Sequence, residues 1–336
     1  MFYKQLSSTV LLCFFLIGHY NGELIIQPVC FFRVLCIPLP HYFGYDVAKS
    51  VSLLFLNGTT PDDYEEFPLA ESRRILNNSA FDINNVTVIY MHGFTEEYQA
   101  ESVQTVMGAY LQRGGFNLIV VDARRAMSGI NYLVALKTVP TLTKAVAAAV
   151  DNMVRSGLDL SRIHIIGHSL GGQAAGYLGM YIKSGLVHRI TALDPSAFNI
   201  AGLRRPLDEK VAEMVDIIHT DIGFLGDLSP ALAIDFYPNG GRSPQPGCGI
   251  DTVLCNHQRS WEYYSESVLY EEAFPAVKCD DWKSFTEGKC DMNANGPVYM
   301  GILCNTNAVG KYYLRTNDKP PFGLGSHLQP FNSSFS

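Results

Sequence analysis

Ile163-His164-Ile165-Ile166-Gly167-His168-Ser169-Leu170-Gly171-Gly172-Gln173-Ala174-Ala175-Gly176 is the stretch on which the fold turns. An apolar, β-branched run leads into a G-x-S-x-G turn, and a segment rich in small residues leads out. The reading is strand, sharp turn and helix, with Ser169 at the tip. Gly167 and Gly171 suit such a turn because a Cβ at either place would collide with neighbouring backbone. The turn lifts the serine hydroxyl clear of a sheet, and the helix N-terminus behind it favours negative charge. Ser169 is the candidate nucleophile, and acyl transfer the candidate chemistry.

Working outward, residues 86–91 (VTVIYM), 118–121 (LIVV), 189–193 (RITAL) and 215–219 (VDIIH) read as further strands. Helical stretches fall between them, over residues 141–155 and 170–182. Strands alternating with helices predict an α/β fold, a mostly parallel central sheet with helices on both faces. After about residue 235, Pro, Gly and Cys become frequent. The expectation there is loops and a few edge strands, with helices short or absent, and an irregular tail from residue 316. No internal repeat or low-complexity segment is present.

A serine needs a base, and the base an orienting acid. In α/β hydrolases these follow the nucleophile in the order acid, then histidine. Asp194, directly after the strand at 189–193, and Asp221, after the strand at 215–219, both compete for the acid. Strand C-termini are where such sites collect, and Pro195 leaves the Asp194 carboxylate at its strand's tip, which puts it ahead. His219, His257 and His327 compete for the base. His219 ends a strand and fits a core role, His327 lies in the tail, and His257 sits two residues after Cys255 in a loop that a disulfide could fix. For the oxyanion, the Leu170 N–H is one donor. The Phe94 N–H, after Met91-His92-Gly93, is the natural second.

Of the 336 residues, 47% are hydrophobic and 17% charged, an ordinary globular composition. The formal charge of −7 leaves no basic excess for nucleic acid, nor is there a polybasic run for an anionic membrane. Lys4, the apolar run 9–17, and small residues at Gly18 and Gly22 read as a secretory leader over residues 1–22, followed by one domain over 23–336. Glycosylation acceptors at Asn57, Asn77, Asn85 and Asn332 agree with export. Of the eight cysteines, Cys13 would leave with the leader. Cys248–Cys255 and Cys279–Cys290 close short local loops, Cys30–Cys36 could do the same, and Cys304 is left over. No spacing suggests zinc, and no metal or other cofactor is expected.

Gly167-His168-Ser169-Leu170-Gly171-Gly172-Gln173, Leu193-Asp194-Pro195, Ile218-His219-Thr220-Asp221, 235–241 (DFYPNGG) and Cys255-Asn256-His257-Gln258-Arg259 resemble, in that order, the pancreatic-lipase family. Met91-His92-Gly93-Phe94-Thr95 resembles its oxyanion loop. The resemblance runs from about residue 52 to 325. It implies an α/β-hydrolase fold, a triad of Ser169, Asp194 and His257, oxyanion donors at Phe94 and Leu170, and a lipid substrate met at a membrane or micelle surface.

Three departures sharpen the expectation. The chain ends at Ser336, too early for the family's C-terminal β-sandwich domain, so colipase dependence is not expected. The loop corresponding to the lid, between Cys248 and Cys255, encloses only six residues. The stretch between Asp221 and Asp235 is short as well. Short loops at both places resemble the family's insect and venom phospholipase A1 branch, which implies release of the sn-1 fatty acid from phospholipids. Finally, Ala123 stands where the family usually has Trp, and calcium-loop carboxylates are not matched near Asp208. The alternatives are a triacylglycerol or galactolipid lipase and a non-catalytic, yolk-type lipid-binding protein. Relatives of that last kind lack a triad member, whereas all three are present here.

Overall fold

The computed structural model describes residues 11–20, 23–32, 47–127, 132–197, 206–228, 233–249, 252, 254–290, 298–304 and 308–325, with side chains from residue 49 onward. Strands β1 (Leu11–Tyr20) and β2 (Glu23–Phe32) pair antiparallel as a separate two-stranded sheet. The leader boundary expected from the sequence, after residue 22, falls between their ranges.

The rest follows the order β3 (Ser52–Leu56), β4 (Tyr64–Pro68), β5 (Val86–Met91), α1 (Glu101–Arg113), β6 (Phe116–Asp122), α2 (Arg124–Met127), α3 (Tyr132–Val154), β7 (Ile163–His168) and α4 (Leu170–Tyr181). Then come β8 (Val187–Leu193), β9 (Ala212–Ile218), β10 (Ile234–Pro238), α5 (Cys255–Leu269), β11 (Pro275–Lys278), α6 (Trp282–Thr286), β12 (Val298–Tyr299) and β13 (Gly310–Leu314). They form one 11-stranded sheet in the order β12-β11-β13-β10-β9-β8-β7-β5-β6-β3-β4. The strands from β13 across to β6 are parallel, and antiparallel pairs close both sides. With helices on both faces, this is the expected α/β-hydrolase architecture.

The parallel strands read as unbroken apolar runs because both of their faces are buried. Successive side chains go to opposite cores. Ile89, Ile119, Ile165 and Ile190 pack with Leu136, Val139 and Val146 of α3 and Ala174 and Leu178 of α4. Val88, Tyr90, Val120 and Ile166 pack with Val103, Val106 and Met107 of α1 and Trp261, Tyr264 and Val268 of α5. Each such side chain contributes about 1.5–3 kcal/mol on burial. At 23 residues α3 is long and apolar enough to cross a bilayer, but half of its most apolar window is buried inside this core.

The region after residue 235 departs from the expectation. Helix α5 is 15 residues long, and β10 lies inside the sheet between β9 and β13. The apolar side of α5 is narrow and aromatic, Trp261, Tyr264 and Val268 at helical spacing, and its many polar residues hide that period. Of the described strands after residue 235, β12 forms the sheet's edge with β11 beside it, and 315–325 is irregular as expected.

Glycines bring α4 against the sheet. A Cβ on Gly167 would lie 2.1 Å from the Gly171 carbonyl oxygen, and one on Gly171 would lie 2.1 Å from the Met91 carbonyl oxygen. The turn thus touches the end of β5 backbone to backbone. Gly171→Ala is expected to force these segments apart at a cost of about 3 kcal/mol or more. A melting temperature within 2 °C of wild type, roughly the effect of under 1 kcal/mol, would contradict that contact.

Candidate active site

Ser169 sits between β7 and α4 with φ 56° and ψ −122°. A left-handed φ in a residue other than glycine costs about 1–3 kcal/mol and persists only where surroundings impose it. Here they do. The Ser169 N–H donates to Leu193 O at 2.9 Å, and Ser169 O accepts from the N–H groups of Gly172 at 3.0 Å and Ser196 at 3.1 Å. These bonds join the serine turn to the end of β8, where Asp194 follows.

Asp194 is fully buried, also with positive φ, 42°. Its Oδ1 accepts the N–H groups of Thr220 at 2.8 Å and Asp221 at 3.1 Å, and its Oδ2 lies 2.5 Å from His257 Nδ1. Gly226 makes the room, since a Cβ there would stand 2.7 Å from Oδ1. His257 occupies the first turn of α5, a helix rather than the expected loop. The structure therefore joins Asp194, after β8, to His257 of α5, while backbone bonds tie the Ser169 turn to the end of β8 and the ring of the preceding His168 lies 4.7 Å from that of His257. His219 is elsewhere in the sheet, buried, with Nε2 on Asp235 Oδ1 at 2.8 Å, and His327 lies outside the described residues.

Asp221 is close as well: Asp194, Asp221 and His257 offer polar atoms within 4.8 Å of one another. Burial pushes the Asp221 carboxyl up to about 7, and the neighbouring Asp194 charge adds to this against hydrogen bonds that include Ser243. The carboxylate oxygens of this trio already accept protein hydrogen bonds.

That raised carboxyl has a stability signature. Between about pH 4 and about 7 the folded protein keeps a proton that the unfolded chain has released. The group's contribution is most favourable at acid pH, declines as pH rises through this window, and levels off above it. Asp221→Asn is expected to remove the decline, so its melting temperature relative to wild type rises from pH 5 to pH 8. A difference that is constant with pH would show that Asp221 ionises normally.

The oxyanion loop is fixed from several sides. His92, its pKa lowered by burial, lies with Nδ1 3.0 Å from Gly93 O and accepts the Ala123 N–H on Nε2 at 3.1 Å. Thr95 N–H donates to Met127 O at 3.1 Å, and the Phe94 ring meets Tyr132 edge-on, centroids 5.3 Å apart. Among the described residues, no acceptor takes the Phe94 or Leu170 N–H, which leaves both for a ligand.

Cys248–Cys255 and Cys279–Cys290 are disulfides. In the first loop, Thr252 turns back onto Gly249 O, and Leu254 is exposed. Buried Gln245, which the sequence gave no reason to single out, ties the loop's base to the strand ends. Its N–H donates to Asn256 Oδ1, and its side-chain amide to Thr220 O and Pro238 O. Cys304 is buried near Arg189 and Asp216, whereas the side chains of Cys30 and Cys36 lie outside the described residues. Asn57 and Asn77 are exposed, Asn85 is half-buried, and Asn332 lies outside the described residues.

A model of the lipase family matches residues 47–322. Pancreatic triacylglycerol lipase of Oryctolagus cuniculus is 31% identical over 80% of this chain and 64% of its own length. The enzyme of that name from Sus scrofa is 32% identical over 82% of this chain and 68% of its own. Inactive pancreatic lipase-related protein 1 of Mus musculus is 34% identical over 71% of this chain and 54% of its own. The chain thus spans about two thirds or less of the length of these relatives. With that match running through strand, turn and helix alike, the chain belongs to the pancreatic-lipase family.

Proposed function

We propose that this chain is an exported carboxylic-ester hydrolase of lipids that works through an acyl-enzyme, and that its substrate is the sn-1 ester of a phospholipid. The observation that carries the reading is the His257–Asp194 pair beside a serine held at left-handed φ between strand and helix. His257 takes the Ser169 proton as the serine oxygen attacks the acyl carbonyl. The N–H groups of Leu170 and Phe94 hold the negative oxygen, and Asp194 offsets the imidazolium. The C–O bond to the lysolipid breaks, and its oxygen takes the proton from His257. Water then adds to the acyl-enzyme, giving its proton to His257, and the fatty acid leaves as Ser169 recovers its hydrogen.

The phospholipid half of the proposal rests on the loop between Cys248 and Cys255. Six residues are too few for an amphipathic helix that covers an acyl groove, so the rim stays open and wet. A charged headgroup remains near water there while its ester reaches Ser169. The names of the rabbit and pig relatives favour triacylglycerol instead, and that of the mouse relative favours an inactive protein. Incubation with phosphatidylcholine, phosphatidylserine and triolein, with products identified by mass spectrometry, separates the three. Loss of the sn-1 chain, absent with Ser169→Ala, is the expected result. Triolein turnover without phospholipid turnover would refute the substrate, and no turnover of any lipid would refute the hydrolase.

A further inference from the structure

We propose that Glu96 and His168 form a positioning pair that locks the oxyanion loop against the nucleophile turn. The inference rests on the acyl-transfer reading and concerns residues outside the triad. One carboxylate bridges two segments far apart in the chain. Glu96 Oε2 accepts the Gly93 N–H at 2.5 Å, and Glu96 Oε1 lies 3.0 Å from Nδ1 of His168, the residue that precedes Ser169. The Glu96 N–H closes the turn back onto Gly93 O at 3.3 Å. Gly93 is wedged between the two sides: a Cβ there would stand 3.0 Å from Glu96 Oε2 and 3.2 Å from the Ser169 Cβ. Phe94, whose N–H is to meet the oxyanion, is the next residue.

The pair is built into the protein rather than resting on its surface. His168 is 3% exposed and the Glu96 side chain 20%. Burial alone would push the Glu96 carboxyl up, but the neighbouring His168, its hydrogen bond and the Gly93 N–H outweigh it and hold the carboxyl at about 2. The carboxylate is thus ionised throughout any working range. The His168 ring in turn lies 4.7 Å, centroid to centroid, from that of His257. One short chain of contacts therefore runs from the oxyanion loop through Glu96 and His168 to the base. Its chemical role is preorganisation: the Phe94 donor is aimed before charge develops, which matters in the transition state and little for the bound ester.

The test uses the whole chain with p-nitrophenyl butyrate, a soluble ester, and an alkyl phosphonate that forms a tetrahedral adduct on Ser169. Glu96→Ala is expected to lower kcat about 10- to 100-fold, with KM within about twofold, and to slow phosphonylation in parallel. Glu96→Gln keeps an acceptor for the Gly93 N–H and a polar group against His168 Nδ1, so it is expected to recover most of the rate. His168→Phe, which keeps a ring but removes the partner, should resemble Glu96→Ala and serves if that variant fails to fold. Wild-type kcat in Glu96→Ala or His168→Phe, or a lowered melting temperature without a slower kcat, would overturn the pair's role. So would Glu96→Gln as slow as Glu96→Ala. Failure of the underlying reading looks different: Ser169→Ala would then hydrolyse the ester as fast as wild type.

Discussion

Replacing Ser169 by alanine is expected to lower kcat by about 10⁴- to 10⁶-fold, the largest effect of any single change in this chain. Without the hydroxyl no acyl-enzyme forms, yet Leu170 and Phe94 still offer their N–H groups and His257 still bonds Asp194. What remains is slow attack by water, and KM should change little. Because the three side chains act as one unit, Ser169→Ala combined with Asp194→Asn should be scarcely slower than Ser169→Ala alone. Asp194→Asn by itself is expected to cost about 10⁴-fold, through loss of the imidazolium's partner. Initial rates on a p-nitrophenyl ester, together with loss of phosphonate labelling at residue 169, provide the check. Residual activity above about 1% of wild type would indicate another nucleophile.

The largest effect on stability is expected far from that site. Arg189 of β8 and Asp216 of β9 form a two-pronged ion pair, Nε to Oδ1 at 2.7 Å and Nη2 to Oδ2 at 2.9 Å. Both are buried. Arg189 also donates to Gly301 O at 2.7 Å and Ile302 O at 3.0 Å, tying the segment after β12 to the middle of the sheet. Thr191 donates to Asp216 Oδ1 at 2.9 Å, and His164 lies 2.8 Å from the Thr191 hydroxyl. Arg189→Met leaves a carboxylate without its cation and two carbonyls without donors. The expected loss is about 3–5 kcal/mol, read from the urea midpoint at unchanged slope. Against a total of about 5–15 kcal/mol, that is enough to unfold a marginal chain at body temperature. Arg189→Met with Asp216→Leu should recover most of the loss, because the cost lies in the orphaned charge. A single variant within 1 kcal/mol of wild type would show that water reaches Asp216.

How much of this is legible in the sequence depends on how local the signal is. The serine turn is local: two glycines, an apolar run and small residues stand within a dozen positions, and the structure has a strand, a turn and a helix there. The two rival acids are not separable locally, since each follows a strand. They differ in what the fold brings to them, two backbone N–H groups and an imidazole for Asp194, a serine hydroxyl and one backbone N–H for Asp221. Helix α5 is hidden because its buried side is aromatic and interrupted by charge, although Trp261, Tyr264 and Val268 do keep helical spacing. Glu96 and Gln245 carry no motif at all. Their partners are 72 residues away in one case and up to 25 in the other, so their importance arises from register and loop geometry alone.

The bond between His257 and Asp194 spans 63 residues of chain. Between them lie β9, β10 and the disulfide loop, so the acid and base cannot meet until that part of the sheet has zipped and the helix has docked. Contacts this distant in sequence form late and slowly. On the proposed mechanism, hydrolytic power therefore waits on long-range assembly and not on the serine turn, which is local. A chain still emerging beside lipids is then chemically silent until β9, β10 and α5 have met.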